Sequence, residues 1–131
     1  MAIIGVALAR NADTARKIII RFQCDTSANV GDFVYQDPSN DTKVLVNSDN
    51  NQTSPTIGVI DSKPDTQIAE VLVLGVKAGF SGLSRGGKVF LSSSGTATNT
   101  KPVNGYVHIL GVATSSSEML VIPNSIRTKL I

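Results

Sequence analysis

Few residues in this chain are of a type that does chemistry. His108 is the only histidine and Cys24 the only cysteine in 131 residues, so a zinc site, which needs several such ligands, is not expected. His108 lies in Tyr106-Val107-His108-Ile109-Leu110, where strand alternation would put Tyr106, His108 and Leu110 on one face. A hydrolase built on it would need a carboxylate to orient the ring and a serine on a nucleophile elbow, and the sequence offers no G-x-S-x-G. Cys24 follows Phe22 and Gln23 in a strand-like run and reads as a small buried hydrophobe. Gly82-Leu83-Ser84-Arg85-Gly86-Gly87-Lys88 has the G-x-x-x-x-G-K spacing of a phosphate loop. Val89, however, stands where a hydroxyl should reach Mg²⁺, and a strand-like run follows where a helix N-terminus should face the phosphate. The segment reads as a glycine-rich turn. The oxygen donors at Asp37, Asn40 and Asp41, and at Asp49, Asn50 and Asn51, miss the EF-hand spacing and read as Asx-turns. Glu70 and Glu118 occupy equivalent places in two strands; as a pair they fit a glycosidase, and singly each is the first solvent-facing residue of its strand. These residues predict no enzyme, no cofactor and no metal.

The elements that would carry them are strands. Aromatic residues make up 5% of the chain and tryptophan is absent, so the 41% hydrophobic content is mostly Val, Ile, Leu and Ala. With 11 glycines and 5 prolines, that composition favours strands and turns. A short motif occurs three times, as Ile4-Gly5-Val6-Ala7, Ile57-Gly58-Val59-Ile60 and Leu110-Gly111-Val112-Ala113. Each copy leads through a polar loop (Asn11-Ala12-Asp13, Ser62-Lys63-Pro64-Asp65, Thr114-Ser115-Ser116-Ser117) into an apolar strand (17–22, 69–74, 118–122). Each unit reads as a β-hairpin whose glycine marks a bulge or a close backbone approach. A second element, a glycine turn followed by a strand and its return, occurs at 30–46 and again at 86–100. The expected fold is therefore all-β, a compact antiparallel β-barrel or β-sandwich. Its organisation is an N-terminal arm or hairpin over 1–29, a β-domain over 30–122 with two unequal sub-repeats (30–74 and 86–122), and an extended C-terminal tail over 123–131.

Net charge is only +2 but unevenly spread: +3 over residues 1–21, −6 over 22–70 and +5 over 71–131. An acidic middle between basic ends favours contacts of an arm with a neighbour. Phe33, Tyr35, Phe80 and Phe90 are not interleaved with a basic stripe, so neither nucleic acid nor a membrane is an expected partner. The N-terminal apolar stretch is short and lacks a basic n-region, which predicts synthesis in a reducing cytoplasm.

From Val30 to Pro123 the chain resembles the capsid decoration (cement) proteins of tailed bacteriophages. The shared pattern is V-G-D-x-V-Y at Val30–Tyr35, I-G-V at Ile57–Val59, a strand ending in Gly75, G-x-x-G-G-K-V-F-L-S around Gly82–Ser92, a Thr-rich stretch, and G-V-A at Gly111–Ala113. Residues 1–29 do not align with a family opening. The resemblance implies a virion protein, a homotrimer on the capsid surface that binds between major capsid subunits. On that view Ile3, Ile4, Ile126, Leu130 and Ile131 are apolar anchors, and Arg127 and Lys129 are polar register contacts. The alternatives are a phage tail, collar or fibre module, and a host-receptor or carbohydrate-binding β-domain resting on Phe33 and Tyr35.

Overall fold

The computed structural model describes residues 17–123 together with 128 and 129. These form eleven strands and, among the described residues, no helix. Their order is β1 (Ile18–Gln23), β2 (Phe33–Gln36), β3 (Val44–Val46), β4 (Gly58–Asp65), β5 (Ile68–Ala78), β6 (Lys88–Leu91), β7 (Ala97–Thr98), β8 (Tyr106–Val107), β9 (Ile109–Ala113), β10 (Glu118–Val121) and β11 (Thr128–Lys129). The fold is all-β, an antiparallel sheet curled into a half-barrel.

Strand order across the main sheet is β3-β2-β4-β5-β10-β9-β6-β7, with β1 added on β5. Read outward from the β5–β10 junction, the two sides match. The apolar strand pairs with its Gly-Val strand, that strand with the one after a glycine turn, and that one with its return. The repeated sequence order thus becomes a repeated pairing order. Two apolar clusters fill the curl. One holds Phe33, Val59, Leu72, Leu91, Leu110, Met119 and Val121; the other holds Cys24, Val34, Val44, Ile60, Ala69 and Val71. Strand β5 serves both. Leu72 faces the first cluster, yet beyond Gly75 it is Lys77, of opposite parity, that lies beside Met119 of that cluster. The strand changes sides at Gly75, whose φ of +142° is open to glycine.

The motif glycines are sites of close approach. Val59 pairs with Leu72 and Val112 with Leu120. A Cβ on Gly58 would collide with the Leu72 carbonyl oxygen, and a Cβ on Gly111 with that of Leu120. Both copies therefore pass the glycine over the carbonyl of the residue that pairs with the following valine. The sequence reading needs one correction here. Ser62-Lys63-Pro64-Asp65 is not a loop but the bulged end of β4, with register shifts after Ile60 and Ser62, and the turn falls at Thr66 and Gln67. The polar residues are tolerated in the strand because this end is half-buried or exposed.

Strand β5 also collects charge from its neighbours. Glu70 faces Arg21 of β1 on one side and Ser62 of β4 on the other. It accepts hydrogen bonds from the Ser62 hydroxyl at 2.7 Å and the Arg21 guanidinium at 3.0 Å. The bulge after Ile60 leaves Asp61 out of the ladder, and its carboxylate takes Lys77 at 3.3 Å and Lys17 at 3.5 Å. Part of the complementarity between basic ends and acidic middle is thus satisfied inside one protomer.

Two outcomes follow from this geometry. Gly111→Ala should destabilise the fold by about 3 kcal/mol or more, because both its φ of +152° and the Leu120 carbonyl oppose a side chain. Gly79→Ala, strained in φ but facing open space, should cost about 1 kcal/mol in the same urea titration. The Ser62 hydroxyl and the Arg21 guanidinium hold the Glu70 carboxyl below its ordinary value of 4.5. Its contribution is complete above that value and is lost as pH falls through the lower folded value. Glu70→Gln should therefore flatten the acid limb of a stability–pH profile and leave the slope above pH 6 unchanged.

Candidate functional site

His108 sits where β8 ends and β9 begins, and the break in the strand decides its surroundings. Val107, His108 and Leu110 are all buried, so the expected alternation fails there: His108 is fully inside and Tyr106 half-buried. The ring is held at both nitrogens, Nδ1 lying 3.2 Å from the Thr56 hydroxyl and Nε2 3.0 Å from the Asn51 carbonyl oxygen. A carbonyl only accepts, so Nε2 carries the proton and Nδ1 accepts from Thr56. The Thr56 hydroxyl in turn accepts from Asn47 Nδ2 at 2.9 Å, and Asn51 Nδ2 donates to Asn47 Oδ1 at 2.9 Å. The result is a closed polar circuit between β9 and the 47–56 loop. The same loop is tied to β8, since the Tyr106 amide donates to the Asp49 carbonyl at 2.7 Å and the Tyr106 hydroxyl donates to Gln52. Among the described residues no buried side-chain nitrogen or oxygen lacks a partner. These hydrogen bonds join the buried His108 to buried Asn47 and Thr56 and half-buried Asn51, and clamp the loop against the strand.

The other chemical candidates resolve into local structure. In the glycine-rich turn, Asn99 receives the Ser84 amide at 2.6 Å and donates to the Lys88 carbonyl at 2.7 Å, and strand β6 begins at Lys88. Asp37 and Asn40 accept from backbone amides two residues on, at 2.8 and 3.0 Å, and Asn51 accepts from Thr53 and Ser54, as Asx-turns do. Among the described residues no group of three or more His, Cys, Asp and Glu is placed to hold a metal. Cys24 packs with Ala28, Val34 and Ile60, and burial pushes its thiol up from the ordinary value, away from the reactive thiolate. A depression of about 410 Å³ beside it is walled by Gln23, Lys43, Asp65 and Gln67. Phe33 is fully buried and stacked on Phe80 with ring centroids 6.2 Å apart, so it offers no platform to a sugar.

One exposed stretch of the sheet is apolar. Directly paired residues share a face of a sheet, so Val76, Leu120, Val112 and Lys88 form one row across β5, β10, β9 and β6 on the side away from Met119. Val112 is 40% exposed, and Leu74 and Ile122 next to the row are 42% and 48% exposed. The sequence reading did not single out these residues. A signal was present in the unbroken runs Val71–Leu74 and Met119–Ile122, since a strand with one wet face alternates and a strand covered on both faces does not. Of the anchors expected from sequence, Ile3, Ile4, Ile126, Arg127, Leu130 and Ile131 lie outside the described residues. Lys129 lies in β11, whose backbone pairs with Tyr106 of β8.

No protein-family model matches the chain, and no curated protein matches it. The clamp is directly testable. Thr56→Val keeps the shape and removes the hydroxyl shared by Asn47 and His108, and should cost about 2–3 kcal/mol in urea denaturation. Thr56→Ser retains the hydroxyl and should recover most of that loss.

Proposed function

We propose that this protein is a non-enzymatic structural component of a tailed-phage virion that decorates and stabilises the capsid by docking between major capsid subunits. The observation that supports this reading best is the outer row Val76–Leu120–Val112 with its exposed neighbours Leu74 and Ile122. An apolar surface that crosses three strands of a small protein is suited to a partner surface. The resemblance over Val30–Pro123 supplies the kind of partner. The clamp around His108 supports the same reading mechanically. It ties the 47–56 loop to β8, which pairs with β11 inside the C-terminal tail. On this view Ile126, Leu130 and Ile131 give the tail its apolar contacts and Arg127 and Lys129 set its register. Three copies around a symmetry axis would convert weak single contacts into lasting occupancy. The glycan-receptor alternative loses support with the burial of Phe33.

Sedimentation of the purified protein alone and with tailed-phage shells tests the proposal. A trimer that pellets with expanded shells and leaves unexpanded proheads untouched is the expected result. Val112→Glu and Ile122→Glu should each weaken shell binding at least roughly tenfold without moving the unfolding midpoint. A monomer that ignores both kinds of shell overturns the reading.

A further inference from the structure

Asparagine is thermally labile where the next residue leaves its backbone nitrogen open to the side chain. Asn104 is the only asparagine in the sequence followed by glycine. It is exposed, in the bend that leads from Pro102 into β8, beside a Val103 that is 86% exposed. Other asparagines are placed differently. Asn47 is buried and bonded to Thr56 and Asn51, while Asn40 and Asn51 turn their oxygens to amides two residues on. Asn99 is held between the Ser84 amide and the Lys88 carbonyl.

Position 105 is built for glycine. Its φ is +85°, and a Cβ there would lie 2.6 Å from the Asp49 carbonyl oxygen. The same carbonyl receives the Tyr106 amide at 2.7 Å. The close packing of β8 on the 47–56 loop therefore requires the one residue that puts no side chain beside its own nitrogen, and so leaves Asn104 open to attack. We propose that Asn104 is a site of spontaneous deamidation, and that the isoaspartate formed there loosens the hold of β8 on the 47–56 loop. The Gly105 nitrogen gives up its proton and bonds to Cγ of Asn104, and the side-chain nitrogen leaves as ammonia. Water then opens the five-membered imide. Attack at Cγ gives aspartate, and attack at the main-chain carbonyl carbon gives isoaspartate, in which the backbone runs through Cβ and Cγ. The second product lengthens the main chain by one carbon immediately before Gly105, where the Asp49 carbonyl leaves no slack. The hydrogen bond from Tyr106 to Asp49 is the first to yield.

Ageing the full-length protein at mildly alkaline pH and body temperature tests both parts. Peptide mass spectrometry should show Asn104 gaining about one dalton at least roughly tenfold faster than any other asparagine, with isoaspartate methyltransferase labelling the same peptide. The aged forms carry one extra negative charge and separate from fresh protein by ion exchange. In the isoaspartate form the Tyr106 amide should exchange with solvent at least roughly tenfold faster than in fresh protein, with the amides shared by β4 and β5 unchanged. Asn104→Asp supplies the charge without lengthening the chain and should leave Tyr106 protected. Asn104→Gln, which would have to close a six-membered ring, should stay intact through the same ageing. Conversion of Asn104 no faster than that of the other asparagines overturns the assignment. An isoaspartate form whose Tyr106 amide exchanges as in fresh protein overturns its consequence.

Discussion

Strand β5 is the constraint on which the rest of this structure depends. Its eleven residues pair with β1, β4 and β10, and like β2 and β4 it feeds both apolar clusters. Here β4 gives way to β10 along its length, and the change of sides at Gly75 lets one run of Val and Leu face two cores in turn. Within the sheet, the two halves are joined through this strand's pairing with β10.

Polar groups then lock what burial alone leaves loose. Glu70 draws β1 and β4 toward β5 from either side, and Asp61 holds Lys77 and Lys17. The circuit of Asn47, Asn51, Thr56 and His108 fixes the longest loop of the first half against the second. Apolar packing is not directional and would accept the loop in several positions. Hydrogen bonds to fully buried partners accept one, because a displaced loop would leave buried donors and acceptors unpaired.

Among the described residues, His108 and Asn51 are held in these locks and Asp37 and Asn40 in turns. The outer row on β5, β10 and β9 presents side chains and suits a broad apolar partner.

Most strands and two of the three expected Gly-Val hairpins were legible in the residues themselves, because period-two patterns, β-branched runs and glycine turns act over a few neighbours; the copy at 4–7 lies outside the described residues. The same local rules gave the Asx-turns at Asp37, Asn40 and Asn51 and the burial of Cys24. They misplaced the end of β4, since Ser62–Asp65 is polar enough for a loop and only the pairing with Glu70 and Ile68 extends the strand through it. They did not place His108 against the 47–56 loop, because that contact joins residues more than fifty apart in sequence. The outer apolar row lay beyond local reading for the same reason: Val76, Val112 and Leu120 become neighbours only through register between strands. Short-range sterics and burial preference determine what each segment becomes, whereas which segments meet is settled by long-range pairing, and only the tertiary structure carries that information.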